Sequence, residues 1–175
     1  MDHTTTRVEA DAVPVELFRE HMAELYWLAF LITGDQDQSV DAFIDAVEFD
    51  EPAPTSRGSM LSWARKLVIV AALDAVRSQI RDSKRRTRIA AKTCDPSLGL
   101  MAKAVIGLPQ LTKSDLEQAL LAIDVFPRCA LLLTFFEGLS INDVSILLDA
   151  DWELVKAAQV EGTVELTRNL ANFIR

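Results

Sequence analysis

The sequence has few of the residues from which metal and catalytic sites are built. Among its 175 residues there are two cysteines, Cys94 and Cys129, which lie far apart without C-x-x-C spacing. The two histidines, His3 and His21, form no ligand pattern with them, so neither a zinc nor a di-iron site is expected. Glycine-rich phosphate loops and the G-x-S-x-G nucleophile elbow are missing as well. These absences predict a protein with no metal, no cofactor and no catalytic residues.

Long apolar runs are also missing. The longest nearly uncharged stretch, residues 67–76, contains Asp74 and is much shorter than the roughly 18 to 20 apolar residues of a membrane-spanning helix. Residues 1–13 are polar and acidic, without the basic and then apolar segments of a secretory signal. The sequence therefore predicts a cytoplasmic protein without a membrane span.

The chain is acidic, but one segment is not. Its 18 Lys and Arg oppose 26 Asp and Glu, which gives a formal net charge of −8. This balance disfavours non-specific binding to nucleic acid, because phosphates are neutralised by clustered cations. Residues 65–92 nevertheless hold nine Lys and Arg against two Asp. This segment is either a solvated helix end or a surface that meets phosphates.

Helical periodicity dominates what is present. Apolar residues recur at steps of three and four, and sustained β-branched alternation is absent, so we expect an all-α fold. Gly34 ends the first predicted helix, and Pro52 and Pro54 follow the second. Helices are predicted over residues 14–33, around 40–47, and over 59–86, 114–123, 127–136, 140–148 and 151–173.

Two small domains are predicted from the change of composition after the basic segment. Residues 87–112 contain two prolines and two glycines, which indicates a linker with one short helix near 100–106. We place the domains at 14–92 and 113–175, with the linker at 93–112.

The C-terminal domain contains the pattern of a helix-turn-helix. Ser114 and Ser140 are predicted N-caps, and Asp149 stands at a turn position where a positive φ is required. Asp151 is expected to begin the next helix. Two short helices joined by so tight a turn form a helix-turn-helix, although any short pair of helices fits the same pattern.

Motifs in both halves carry a family resemblance. Residues 128–140 read R-C-A-L-L-L-T-F-F-E-G-L-S, and residues 25–35 run from L-Y to L-I-T-G-D. Trp63, Asp74 and Arg77 form a W…D-x-x-R frame. In this order the motifs resemble the extracytoplasmic-function (ECF) group of bacterial RNA polymerase sigma factors. In that family the first run precedes the promoter-binding helix-turn-helix, and the frame lies in the helix that reads and melts promoter DNA.

The resemblance implies partners and site residues. Asp41 and Asp45 fall on two acidic positions of the helix with which the family binds core RNA polymerase. Val155 and Lys156 fall on the V-K at the start of the recognition helix. Contacts to promoter DNA are expected from the cations that remain, which are Arg77, Arg81, Lys84, Arg85, Arg86, Lys156 and Arg168.

The chain departs from the family where DNA is contacted. Ile69 and Val70 replace an Arg-Asn pair, and apolar side chains donate no hydrogen bonds to bases. Residues 157–163 lack the cations of the family's recognition helix. From Arg128 to Arg175, four cationic residues oppose seven acidic ones, a net charge of −3. The resemblance therefore implies weakened binding to promoter DNA.

Three functions follow from these observations. The first is a divergent sigma factor that binds core RNA polymerase and promoter DNA. The second is a sigma mimic that binds an anti-sigma factor or another protein, with Ile69 and Val70 as an exposed apolar patch. The third is an enzyme using the Asp41 and Asp45 carboxylates, which is disfavoured because no nucleophile or metal ligand accompanies them.

Overall fold

A computed structural model describes residues 16–49, 54, 56–91 and 112–173 of the chain. These residues are mostly helical and include no strand, so the all-α prediction is confirmed. Within them, no helix is long and apolar enough to cross a membrane. The helices are α1 (Met22–Thr33), α2 (Gln36–Glu48), α3 (Arg57–Ala75), α4 (Arg77–Ala91), α5 (Lys113–Leu121), α6 (Val125–Leu131), α7 (Ile141–Leu147) and α8 (Trp152–Asn172).

The chain divides into two compact units between Ala75 and Val76. In the first unit, α1, α2 and α3 pack against one another in pairs. In the second, α8 packs against α4, α5, α6 and α7, and α4 also packs on α6. The division into domains at 14–92 and 113–175 remains a prediction. The short helix predicted near 100–106 lies outside the described residues.

The first unit is closed by turns that the sequence anticipates. Gly34 ends α1 with a left-handed backbone (φ 74°), which a residue without a Cβ adopts at little cost. Asp35 then caps α2 by accepting a hydrogen bond of 2.9 Å from the Gln38 amide. The single helix expected over residues 14–33 is wrong, because residues 16–20 are separated from α1 by a turn at His21. The His21 backbone (φ −107°, ψ 14°) leaves helical values there.

The single helix expected over residues 59–86 is also wrong. It is two helices, since α3 ends at Ala75 and α4 begins at Arg77, with a turn at the fully buried Val76. The helix α4 also extends to Ala91, so residues 87–91 are helical and not linker. Neither Gly nor Pro marks the break at Val76. Burial of Ile80, Ser83 and Thr87 of α4 within the second unit accounts for the separate helix.

Helix ends in the second unit correct some predictions and confirm others. Thr112, and not Ser114, caps α5, in a capping box with Asp115 in which each side chain bonds the other residue's backbone amide. The predicted helix over 127–136 begins at Val125, and its last five residues, Leu132–Phe136, are π-helical. Ser140 caps α7 as predicted, by accepting from the Asp143 amide at 3.2 Å.

Candidate functional site

The helix α2 presents one acidic and apolar face to solvent. Asp41 and Asp45 are exposed and lie one turn apart, while Ser39, Ala42 and Ala46 are buried beneath them. Val40 and Ile44 are 45% and 46% exposed beside the two carboxylates. We call Val40, Asp41, Ile44 and Asp45 the α2 surface. It combines uncovered apolar area with negative charge, a combination that fits a protein partner better than phosphate.

The prediction that Ile69 and Val70 form an exposed apolar patch is wrong for Ile69. Ile69 is buried in the first unit with 4% of its surface exposed, and Val70 is half-buried. Ile69 belongs to the same buried stretch of α3 as Leu67 and Val68. A side chain in this position stabilises the helix packing and offers no surface to a partner. A partner contact at Val70 stays a prediction.

The basic residues of α4 are distributed around an exposed helix. Ile80, Ser83 and Thr87 are buried, and the predicted DNA-contacting residues Arg77, Arg81, Arg85 and Arg86 are exposed on other sides. Lys84 differs from them, because only 16% of its side chain is exposed. Its ammonium group donates to the carbonyl oxygens of Leu148 and Asp149, at the C-terminal end of α7. Lys84 thus stabilises the end of that helix, where the macrodipole favours a cation.

A second cation of α4 is held by a carboxylate. The Arg86 guanidinium donates two hydrogen bonds to Asp124, with Nε to Oδ2 at 2.7 Å and Nη2 to Oδ1 at 2.8 Å. The hydrogen bonds to Asp124, together with its negative charge, raise the pKa of Arg86. Asp124 also caps α6 through the Val125 amide at 2.9 Å, and Ser83 accepts from the Phe126 amide at 3.0 Å. This cluster joins α4 to the start of α6.

Asp124 makes the stability of the second unit sensitive to acid. Burial pushes the pKa of Asp124 upward, but hydrogen bonds from Arg86, Ser83 and Val125 outweigh it and hold the pKa below the ordinary 3.8. As the pH falls, Asp124 is therefore protonated earlier in the unfolded chain than in the folded protein. The contribution of its carboxylate to the free energy of unfolding is complete above pH 3.8 and is lost as the pH falls through the folded-state pKa.

We expect Asp124→Ala to destabilise the protein at neutral pH by about 1 kcal/mol through the lost N-cap, with a further smaller loss from the ion pair. Asp124→Asn keeps a capping oxygen and should cost less. The difference between wild type and Asp124→Asn should shrink as the pH falls below 3.8. Urea unfolding at neutral and acid pH measures both effects, and an unchanged difference in acid would contradict the assignment.

The corner between α7 and α8 is acidic and apolar at its surface. Asp149 adopts φ 46°, as predicted for this turn, and α7 packs on α8. Ile146 and Trp152 are 78% and 55% exposed. The exposed acidic residues of this corner are Asp143, Asp149, Asp151 and Glu153.

The remaining predicted DNA contacts lie apart on α8. Lys156 and Arg168 are both exposed, but twelve residues separate them, which is about 18 Å along a helix axis. Lys156 lies one turn from Trp152 and close to the acidic start of the helix. The structure therefore does not bring Lys156 and Arg168 together into one basic cluster.

Two buried residues of the motif at 128–140 have structural roles. Arg128 is 6% exposed and its Nη1 donates to the carbonyl oxygens of Leu121 and Ile123, both at 3.1 Å. Burial lowers the pKa of Arg128, and the neighbouring Cys129 and Asp124 oppose that shift. Burial also raises the pKa of the Cys129 thiol to about 12, so this cysteine is not a nucleophile at neutral pH. No group of three possible metal ligands occurs in the described part of the chain.

Sequence reasoning did not identify Arg88, Asp124 and Asp151 as members of ion pairs that connect α4 to other parts of the second unit. Arg88 Nη2 lies 3.6 Å from Asp151 Oδ2. The aspartates are 38 and 63 residues from their arginines, so no local spacing connects the partners. The charge bias of the two segments, one basic and one acidic, was the available signal.

Comparison with known proteins gives one distant similarity. The chain is 28% identical over 127 residues to "ECF RNA polymerase sigma factor SigK" of Mycobacterium sp. (strain JLS). The match covers 73% of this chain and 63% of that curated relative's length. No family model and no solved structure matches the chain. The similarity supports a sigma-factor-like relationship.

Proposed function

We propose that this protein acts in transcription initiation as a non-enzymatic, sigma-factor-like protein that binds core RNA polymerase and promoter DNA. The observation that carries the proposal is the 127-residue similarity to an ECF sigma factor. That length exceeds either compact unit, of which the longer is Val76–Arg175, so the similarity includes residues of both. The relevant compartment is the cytoplasm, where the polymerase acts.

The α2 surface is the proposed contact with core polymerase. Its two carboxylates are exposed and project from one rigid helix, whose opposite face is buried against α1 and α3. Val40 and Ile44 add apolar area beside them. Interfaces combine a buried apolar centre with charges that steer association, and this surface has both.

The proposed DNA contacts are the exposed cations of α4 together with a helix-turn-helix formed by α7 and α8. The geometry divides four of the predicted residues of α4 into two groups. Lys84 and Arg86 already bind carbonyl or carboxylate oxygens, whereas Arg81 and Arg85 extend into solvent. Because the α7–α8 corner is acidic, we expect the free protein to bind DNA weakly and polymerase to supply much of the affinity.

We expect Asp41→Asn combined with Asp45→Asn to weaken core polymerase binding by about tenfold or more, because two interfacial charges are removed. Glu16→Gln combined with Glu20→Gln is the matched control. These residues are also exposed, four positions apart and in the first unit. Biolayer interferometry with immobilised core enzyme measures the affinities. Equal affinities for the two double variants would contradict the α2 surface as the contact.

A second candidate is the sigma mimic that binds an anti-sigma factor and not DNA. The acidic and apolar α7–α8 corner, with Ile146 and Trp152 exposed, favours it. Run-off transcription with purified core enzyme on genomic fragments separates the two candidates. A specific start site supports the sigma-factor-like protein. Failure to bind core enzyme, with recovery of a small helical regulator, supports the mimic.

A further inference from the structure

Three arginines of α4 form one exposed stripe. Arg81, Arg85 and Arg88 stand at positions i, i+4 and i+7, so they lie within about 60° of the helix circumference and span about 10.5 Å of its axis. All three side chains are exposed, on the side away from the buried Ile80 and Ser83. Cations spaced along one straight face suit the regularly spaced phosphates of a nucleic-acid backbone.

The third arginine of this stripe differs from the other two. Arg88 Nη2 is 3.6 Å from Asp151 Oδ2, in a pair whose side chains are 58% and 79% exposed. For Arg81 and Arg85, no carboxylate partner is present among residues 16–49, 56–91 and 112–173. Arg88 and Asp151 also line a shallow groove with Ile146, which leaves the pair accessible from solvent.

The position of Asp151 next to α4 is fixed by a neighbouring contact. Lys84 lies one turn before Arg88 and donates to the carbonyl oxygens of Leu148 and Asp149. The turn that carries Asp151 is therefore attached to α4 at a mostly buried point. Asp151 begins α8 without a capping hydrogen bond from its side chain, so its carboxylate is available to Arg88.

We propose that Arg81, Arg85 and Arg88 form a phosphate-binding stripe for a nucleic-acid backbone, and that Asp151 is an internal competitor that occupies Arg88. Asp151 and a phosphate compete for Arg88, because both are anionic oxygen acceptors for the same guanidinium, so Arg88 adds little to phosphate binding while Asp151 holds it. An exposed ion pair is weak, so the competitor lowers the affinity without abolishing it. The inference deepens the proposed function but needs no polymerase for its test.

The test is the affinity of the full chain for a short fluorescein-labelled DNA duplex, measured by anisotropy over a range of salt concentrations. Asp151→Asn should bind about threefold to fivefold more tightly at low salt, since it removes the competitor. The slope of log affinity against log salt should steepen by about 0.9, which corresponds to one more phosphate contact. The Asp151 side chain makes no capping hydrogen bond, so the substitution removes no cap and α8 should be retained.

Glu153→Gln is the matched control, because it changes the net charge equally, two residues away, on another exposed side chain. It should gain less affinity and leave the salt slope unchanged. Arg88→Gln should change the wild-type affinity little but should cancel the gain of Asp151→Asn. Equal effects of Asp151→Asn and Glu153→Gln, or a gain that survives Arg88→Gln, would overturn the inference. Loss of polymerase binding in a separate assay would overturn only the proposed function.

Discussion

Replacing Gly162 by alanine should destabilise the protein by about 1–3 kcal/mol, the range typical of overpacking a well-packed core. A Cβ at this position would lie 2.7 Å from the carbonyl oxygen of Pro127 and 3.3 Å from the Leu131 Cβ. The first neighbour is backbone and cannot rotate away. Alanine normally stabilises a helix interior by up to about 1 kcal/mol over glycine, so the expected sign is the reverse of what helix propensity gives.

Gly138→Ala is the control for this prediction. Gly138 has φ 67°, but no atom lies within 4 Å of an added Cβ. Its substitution should lower the free energy of unfolding only by the strain of an alanine in the left-handed conformation, about 1 kcal/mol. Urea unfolding of both variants gives the comparison. If Gly162→Ala were neutral or stabilising, the close approach of α8 and α6 would be contradicted.

Replacing Arg128 by methionine should destabilise the protein by about 2–4 kcal/mol, because the carbonyl oxygens of Leu121 and Ile123 lose their donor. The apolar part of the side chain is nearly preserved, so a cavity contributes little. The charge itself stabilises less than its hydrogen bonds do, since its burial is unfavourable. The expected loss therefore measures mainly the two carbonyl groups at the end of α5.

Arg128→Lys tests that interpretation. Lysine retains one ammonium donor but lacks the planar fork with which arginine reaches two acceptors, so its loss should be intermediate. Urea unfolding at neutral pH measures both variants, and the slope of the transition should stay unchanged. A lysine variant as unstable as the methionine variant would show that geometry, and not the presence of a donor, dominates.

Features that depend on a few neighbouring residues were predictable. Ser140 caps α7, Gly138 adopts a positive φ and Asp149 turns the chain before α8, all as the residue types indicate. The exposure of Asp41 and Asp45 follows from their charge, whereas the apolar Val40 and Ile44 beside them are exposed against the expectation from periodicity. In each case the stabilising interaction lies within one or two turns of chain, so local sequence is sufficient.

Other features depend on neighbours that are distant in sequence. The break at Val76 has no Gly or Pro signal, and the burial of Ile69 depends on which helices surround α3. The cap of α5 is different, because Thr112 and Asp115 form a local capping box that the prediction of Ser114 overlooked. Tertiary packing decided the break at Val76 and the burial of Ile69.

The sequence by itself determined that the chain is helical, where several helices end and which residues are candidates for polymerase and DNA contacts. The first two properties arise from periodicity and capping, which act over a few residues, whereas the contact candidates are what the family resemblance implies. Only the tertiary structure decided which cations are available to bind DNA. Lys84, Arg86 and Arg88 contact oxygen atoms of residues that lie 38 to 65 positions away in the sequence. Electrostatic pairs and close helix contacts depend on distance in space, and sequence separation does not reveal that distance.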